Sequence, residues 1–180
     1  MRIIAGSARG RRLAVPEGLE IRPTSDRVRE ATFNALHSRG AVEGASVLDL
    51  FAGSGALGLE ALSRGAARAV FVDRSAPAVA AIRANVEMLG FEARATVVHG
   101  EAMDHLARSP GPVDVALLDP PYGFDTWPDL LERVDAAVVM IESDREIDVS
   151  PRWVAFRLRS YAGTVVLLAR RATAADSEKQ

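Results

Sequence analysis

The chain has 180 residues, a length that suits one domain with a substantial apolar core. It contains no cysteine, which excludes a disulfide framework and a cysteine-based zinc site. No apolar run approaches the roughly 18 residues of a membrane span, and the N-terminal apolar stretch is too short for a signal peptide. We therefore expect a cytoplasmic protein, and the net charge of −2 argues against a general nucleic-acid binder.

The charge is unevenly distributed along the chain. Residues 1–40 contain eight arginines and four acidic residues, a net charge of +4, so the other 140 residues carry −6. The first twelve residues hold four arginines and no acid. Such a basic segment is typical of a contact with a phosphate backbone, although a solvated terminal arm has the same composition. We expect Arg9, Arg11 and Arg12 above all to serve substrate docking and not the fold.

The N-terminal pattern predicts a small β-hairpin followed by a helix. Residues 2–6 and 11–15 read as two short strands around a turn, so residues 1–20 are predicted to form a basic hairpin arm that adds little core. Thr24 or Ser25 suits the cap of the helix, and apolar residues recur on one helical stripe as far as Leu36.

From residue 45 onward, strands alternate with helices. The predicted strands cover residues 46–50, 69–72, 94–98, 113–118, 136–141, 153–161 and 164–169. This order implies an α/β fold with a doubly wound, mostly parallel seven-stranded sheet. The last two strands are joined by a two-residue turn, which implies a terminal antiparallel hairpin. The main domain is predicted to span residues 21–172, and residues 173–180 to form a disordered tail.

A glycine-rich turn follows the first strand of this unit. Residues 53–58 match G-x-G-x-x-G, and Asp73 lies 18 residues beyond Gly55, close to the spacing of a ribose-binding acid. A bare strand–helix turn has the same glycines, and both NAD and S-adenosylmethionine are compatible with the pattern. Asp49 lies just before the glycines, where a carboxylate could hold an ammonium group, which favours S-adenosylmethionine.

A second motif, Asp119-Pro120-Pro121-Tyr122, ends the buried strand over residues 113–118. Neither proline can donate to a sheet, so the strand stops there. Ligands of open α/β sheets bind at this edge, beyond the carboxyl ends of the strands. An acid, a rigid turn and an aromatic ring suit a flat base that bears an amine, whereas a plain strand-ending turn is the simpler interpretation.

Three stretches together identify a family resemblance. They are residues 22–30 with Phe33 and Asn34, residues 49–61, and residues 119–122. With them, the chain closely resembles the RsmD-type family of 16S ribosomal RNA (guanine-N2)-methyltransferases. The resemblance implies a Rossmann-like class I methyltransferase domain over residues 21–172. It also implies transfer of a methyl group from S-adenosylmethionine to the exocyclic amine of one guanine in small-subunit ribosomal RNA.

The resemblance assigns roles to individual residues. Asp73 would bind the ribose hydroxyls, and Arg74 and Ala102 would flank the adenine. The whole cofactor-binding set comprises Asp49, Phe51, Gly53, Gly55, Asp73, Arg74, Glu101, Ala102 and Asp119. The catalytic set would be Asp119, Pro120 and Tyr122: the acid and the Pro120 carbonyl would hold the guanine amine, and the ring would stack on a base turned out of its helix. Tyr122 would thus bind RNA together with Arg9, Arg11 and Arg12.

The implied partner is 16S ribosomal RNA within an assembled or partly assembled small subunit, bound by a monomer without a membrane contact. DNA or other adenine-N6 methylation uses a similar Asp-Pro-Pro-Tyr turn and stays open as an alternative. Protein glutamine methylation, which usually has Asn in place of Asp119, and a non-enzymatic RNA-binding role fit less well. The three histidines have no metal-ligand partners at a telling spacing, so we expect no metal site.

Overall fold

Apolar runs form the strands and the segments between them form helices, as the pattern predicts. The computed structural model describes residues 1–16, 26–108, 111–149 and 151–177. The strands are β1 Ser46–Leu50, β2 Arg68–Asp73, β3 Ala95–His99, β4 Val113–Leu118, β5 Ala136–Ser143, β6 Trp153–Tyr161 and β7 Thr164–Arg171. The helices are α1 Asp26–His37, α2 Ala56–Ser63, α3 Ala76–Leu89, α4 Ala102–Ala107, α5 Trp127–Arg133 and α6 Ala174–Ser177.

The strands pair in one seven-stranded sheet of order β3-β2-β1-β4-β5-β7-β6. The first five strands of that order are parallel, and β7 pairs antiparallel with both β5 and β6. Two apolar clusters lie on the two faces of this sheet. The predicted fold class is therefore confirmed. Because β1 lies between β2 and β4, the strand order reverses there, and ligands of such sheets bind at that reversal.

The fifth strand is longer than predicted. It continues to Ser143, because Ser143 still pairs with Val165 of β7. The third strand starts at Ala95 and not at 94, since Glu92–Arg94 forms a single 3₁₀ turn. Both differences concern strand ends, where tertiary pairing decides the boundary.

The N-terminal segment, residues 1–16, is not the separate hairpin arm that the sequence predicts. Its only β-pairing is an isolated bridge between Arg2 and Arg12, and the chain reverses through backbone hydrogen bonds such as Ile3 N–H to the Arg11 carbonyl. Ile3 and Leu13 are buried in the same apolar cluster as α1 and α2. The prediction that this segment adds little core is wrong, because Ile3, Ala8 and Leu13 all belong to that cluster.

A buried carboxylate fastens the N-terminal segment to the body. Glu60 in α2 is inaccessible to solvent and accepts hydrogen bonds from the backbone N–H groups of Ile4 (2.8 Å) and Ala5 (3.1 Å). Arg64, one helical turn later, donates to the same carboxylate at 2.7 Å. A buried charge is tolerated when it is paired in this way. The segment is therefore held by both polar and apolar contacts.

The C-terminal residues are more ordered than predicted. Residues Ala174–Ser177 form the short helix α6, and Asp176 accepts hydrogen bonds from both Nη atoms of Arg170 at 2.7 Å each. This pairing holds the pKa of the Asp176 carboxyl far below its usual value. The prediction of a disordered tail from residue 173 is thus wrong for 173–177. The predicted helix cap at Thr24 or Ser25 lies outside the described residues.

No helix in the described parts of the chain has both the length and the apolar character needed to cross a membrane.

Two glycines test how closely the N-terminal segment packs on the body. Gly6 and Gly10 both have positive φ angles, +84° and +82°, so alanine is strained at either position by roughly 1–2 kcal/mol. A Cβ on Gly6 would overlap the Ser63 carbonyl oxygen, whereas one on Gly10 meets no atom within 4 Å. We expect Gly6→Ala to reduce the free energy of unfolding by about 2–5 kcal/mol, because overpacking adds to the strain.

Urea denaturation of both variants measures the difference, and Gly10→Ala is the matched control. Equal reductions of the free energy of unfolding in the two variants would mean that the segment does not pack on Ser63 as described.

Candidate active site

A cavity opens at the carboxyl ends of β1, β2 and β4. Its volume is about 400 Å³, within the range of roughly 300–1,000 Å³ found for small-molecule sites. It is lined by residues of the glycine turn, of the loops after β2 and β3, and of the Asp119 turn. The lining residues that the sequence predicted are Asp49, Phe51, Gly53, Asp73, Arg74, Glu101, Ala102, Asp119 and Pro120.

The start of α2 forms one wall of the cavity. Its N-cap residue, Gly55, has φ +78° and no side chain to cap the helix. Asp49 at β1 performs that role from outside the helix, because its Oδ2 accepts the Gly58 N–H at 2.9 Å. The contact needs glycine at 58, since an added Cβ would overlap the Phe71 ring. The third glycine of the motif therefore lets α2 approach the sheet.

Asp73 joins the glycine turn to the loop after β2. Its Oδ2 accepts the Gly53 N–H and its Oδ1 accepts the Ser75 N–H, both at 2.8 Å. Ser75 in turn caps α3 by accepting the Ala78 N–H, as the sequence predicts. These contacts fix the orientation of the Asp73 carboxylate, which lines the cavity.

The electrostatics of the cavity are dominated by carboxylates. Burial raises the pKa of Asp49 well above its usual 3.8, and the hydrogen bond from Gly58 opposes that effect only in part. The nearby charges of Asp119 and Asp73 raise the Asp49 pKa further. Three carboxylates that interact with one another favour a ligand with positive charge.

The Asp119 turn forms the opposite wall. Asp119 is half-buried and Pro120 is buried, directly after the fully buried end of β4. Tyr122 is 54% exposed and does not line the cavity. The structure thus brings Asp119 and Pro120 together with the cofactor residues and leaves the Tyr122 ring on the surface beside them.

An aromatic row supports this wall and was not predicted from the sequence. Phe124 makes edge-on contacts with Phe51 (5.4 Å between centroids) and with Trp127 (5.2 Å). Phe51 has φ +63°, one of two positive values among the described non-glycine residues, and such strain concentrates at functional sites. Phe124 has no sequence signal of its own, because its place depends on how the loop after Tyr122 folds back.

Arg74 and Glu101 lie at the end of the cavity formed by the loops after β2 and β3. Their side chains are largely exposed and form an ion pair of 3.7 Å. Ala102 is buried beside them, and Met103, which was not predicted, also lines the cavity. Exposed pairs of this kind contribute little stability, so these side chains can change partners when a ligand binds.

The three predicted RNA-binding arginines, Arg9, Arg11 and Arg12, lie apart from the cavity and are exposed. The Arg11 guanidinium donates to the Met88 carbonyl at 2.9 Å, which ties its side chain to the end of α3. A different arginine, Arg29 of α1, does line the cavity, and no role was predicted for it.

Comparison with known proteins agrees with this geometry. The family model described as Conserved hypothetical protein 95 matches residues 1–170. The chain belongs to this family. The matched residues include every element that lines the cavity and the whole N-terminal segment, so both are part of the family's shared structure.

Individual relatives point in the same direction. The chain is similar to ribosomal RNA small subunit methyltransferase D of Escherichia coli K12, with 40% identity over 153 residues, 81% of this chain and 76% of that protein. It is 36% identical over 159 residues to Bacillus subtilis YlbH, provisionally described as an rRNA methyltransferase; the match covers 83% of this chain and 85% of that protein. A solved Escherichia coli structure, provisionally described as the methyltransferase yhhF, has a TM-score of 0.86 and 35% identity over 96% of this chain and 98% of that one.

The buried Asp49 carboxylate has a stability cost that varies with pH. Because its pKa is raised in the folded state, the folded protein holds this proton more tightly than the unfolded chain does. Stability is therefore lost as the pH rises through the raised pKa. We expect Asp49→Asn to be more stable than the wild type at neutral pH, since its amide oxygen can still accept the Gly58 N–H. The gain should shrink as the pH falls towards 3.8, the ordinary value.

Urea denaturation between about pH 4 and pH 8 measures this. Asp114→Asn is the control, and its effect on the free energy of unfolding should have the opposite sign. Hydrogen bonds from Ser46 lower the Asp114 pKa, so the wild-type carboxylate stabilises the fold at neutral pH and loses that effect in acid. A gain for Asp49→Asn that does not vary with pH would contradict the assignment.

Proposed function

We propose that this protein transfers a methyl group from S-adenosylmethionine to the N2 amine of a guanine in 16S ribosomal RNA. One observation carries the proposal: the Asp119-Pro120 turn shares a single cavity with the glycine turn and Asp73. A site for an amine-bearing base thus adjoins a site for a nucleoside cofactor. Membership of the family, with relatives named as small-subunit ribosomal RNA methyltransferases, supports an enzyme of this class.

The residues of the cavity fit S-adenosylmethionine better than NAD. The interacting carboxylates Asp49, Asp73 and Asp119 suit the cationic sulfonium and ammonium groups. The same carboxylates would repel the pyrophosphate of a dinucleotide. When bound, S-adenosylmethionine supplies an electrophilic methyl group. Asp73 would accept hydrogen bonds from the ribose hydroxyls, and Arg74 and Ala102 would flank the adenine.

Asp119 and Pro120 would act on the substrate amine. The lone pair of a guanine N2 amine is delocalised into the ring, so orientation matters more than intrinsic nucleophilicity. The Asp119 carboxylate and the Pro120 carbonyl can each accept one N–H of the amine and hold it in a fixed direction. Asp119 can also accept the proton that the amine must lose. The buried Pro120 keeps the turn rigid.

Tyr122 would hold the base itself. Its exposed ring follows the cavity-lining Pro121, in a position to stack on a base turned out of its helix. Aromatic stacking tolerates any base, so the choice of guanine rests on the hydrogen bonds made at Asp119 and Pro120. Adenine-N6 methylation would use the same turn. The identity of the methylated nucleoside distinguishes it from guanine-N2 methylation.

The proposed substrate is structured RNA in an assembled or partly assembled small subunit. The enzyme is proposed to bind it as a monomer in the cytoplasm. A single cavity and a short basic segment recognise too little sequence to select one guanine. Shape supplied by a particle makes up the difference, as is usual for proteins that bind folded RNA.

The Asp119 carboxylate is the sharpest test of the function. We expect Asp119→Ala to reduce the rate of methyl transfer to small subunits by roughly 10²-fold or more, since it removes an acceptor used by the reacting amine. Cofactor affinity should stay within a few-fold of the wild type. Tyr122→Ala should also impair transfer, and Tyr122→Phe should be milder because the ring face is retained.

The assay uses small subunits from a strain that lacks this enzyme and identifies the methylated nucleoside by mass spectrometry, beside calorimetric titrations with S-adenosylhomocysteine and NAD. N2-methylguanosine is the expected product. N6-methyladenosine would favour the alternative, and saturable NAD binding without a response to S-adenosylhomocysteine would exclude the proposal.

The three exposed arginines of the N-terminal segment should govern RNA affinity. Replacing Arg9, Arg11 and Arg12 by Ala should reduce the slope of log affinity against log salt by up to about three units, if each side chain neutralises one phosphate. Thermal stability and cofactor binding should change little, because Ile3 and Leu13 still anchor the segment.

Subunit binding at a series of salt concentrations measures the slope. A variant with Arg83, Arg108 and Arg133 replaced by Ala removes the same charge from exposed positions in or directly after helices and serves as the control. An equal change of slope in both variants would show that overall charge, and not this segment, determines binding.

A further inference from the structure

Arg29 combines burial, charge and contact with the cavity in one side chain. Its side chain is only 1% exposed, yet it lines the cavity with Asp49 and Asp119. It belongs to the stretch over residues 22–30 that marks the family resemblance and that has no assigned role in the chemistry. A fully buried arginine requires partners, so its surroundings show what it can bind.

The partners of Arg29 leave part of its guanidinium unused. Nη2 donates to Asp26 Oδ1 at 3.1 Å and to the Arg2 carbonyl. Nε is buried and finds no hydrogen-bond acceptor among the described residues. Its nearest carboxylate oxygen, Glu60 Oε2, is 3.8 Å away, which is too far for a hydrogen bond.

The Glu60 carboxylate is shared between Arg29 and other donors. It already accepts the Arg64 Nε at 2.7 Å and the backbone N–H groups of Ile4 and Ala5. One buried carboxylate thus serves two arginines and two amides. Asp26, the other acid on Arg29, also pairs with Arg2, so two acids face three arginines and Arg29 keeps positive charge at the wall of the cavity.

The two described arginines that line the cavity come from different parts of the fold, Arg29 from α1 and Arg74 from the loop after β2. Among the described lining residues, the cationic side chains are Arg29 and Arg74, against the four acids Asp49, Asp73, Glu101 and Asp119. Arg74 pairs with Glu101 at the end formed by the loops after β2 and β3. Arg29 and Asp49 are both tied to α2, through Glu60 and Gly58. A buried cation from α1 and a buried acid from β1 therefore line the same cavity, and both contact α2.

This arrangement is the complement of an amino-acid zwitterion. Resting on the proposed function, which places S-adenosylmethionine in this cavity, we propose that Arg29 binds the carboxylate of the cofactor's methionyl end. Asp49 is the partner of the ammonium group. Arginine suits this role because its fixed fork of donors matches a carboxylate and its charge does not titrate. The ribose and adenine lie towards Asp73 and Arg74.

Two ligands that differ only in the carboxylate test the assignment. Calorimetry with S-adenosylhomocysteine and with its decarboxylated analogue gives a preference ratio that requires no turnover. The wild type should prefer the intact ligand by roughly 10–100-fold, the range expected for a hydrogen bond to a charged group. Arg29→Gln should reduce the ratio to near one by weakening the intact ligand alone.

Arg64→Gln is the matched control, because it removes the other arginine on Glu60 without touching the cavity lining, and it should keep the wild-type ratio. Arg29→Lys, which keeps the charge without the fork, should give an intermediate ratio and replaces Arg29→Gln if that variant does not fold. Equal weakening of both ligands in the Arg29 variants would show a purely structural role and overturn the inference. Failure of the wild type to bind either ligand would overturn the proposed function itself, and the inference with it.

Discussion

The hydrogen bond from the Gly58 N–H to the buried Asp49 carboxylate is the contact on which the site depends. Gly55 offers no side chain to cap α2, so an acid from the neighbouring strand satisfies the helix instead. The arrangement requires glycine at 58, because Phe71 occupies the space of a side chain. A structural requirement of the helix start thereby places a carboxylate inside the cavity, where it is also a charge for the ligand.

Two buried carboxylates make contacts with α2, Glu60 from within the helix and Asp49 from β1, and their surroundings differ. Glu60 has an arginine at 2.7 Å and two backbone donors, so its charge is well compensated. Asp49 has the Gly58 amide, and burial, with a smaller effect of the acids near it, raises its pKa. Folding stability alone would favour a neutral residue at position 49. A carboxylate retained against this cost is typical of a functional site, where stability is exchanged for binding.

The sequence allows prediction of those features that depend on local pattern. The seven strands follow from apolar runs, the Asp119 turn from its two prolines, and Asp73 from its spacing to the glycines. The packing of the N-terminal segment did not follow, because a short run containing Ile3 and Leu13 becomes core only once α2 lies beneath it. Arg29 was missed for the same reason: its side chain donates to the Arg2 carbonyl, 27 positions earlier in the chain, and lies beside Glu60, 31 positions later.

The N-terminal segment can be both core and basic surface, because its apolar side chains are buried and its arginines are exposed. Ile3 and Leu13 are buried in the core, and Glu60 accepts hydrogen bonds from the backbone N–H groups of Ile4 and Ala5. The side chains of Arg9, Arg11 and Arg12 are exposed to solvent. Arginines on a segment that is already fixed lose less conformational entropy on binding than arginines on a free arm. If these arginines bind RNA as proposed, their charge contributes without a large cost of ordering the backbone. Glu60 also lies 3.8 Å from the Arg29 Nε, so one buried carboxylate contacts both the N-terminal segment and an arginine of the cavity wall.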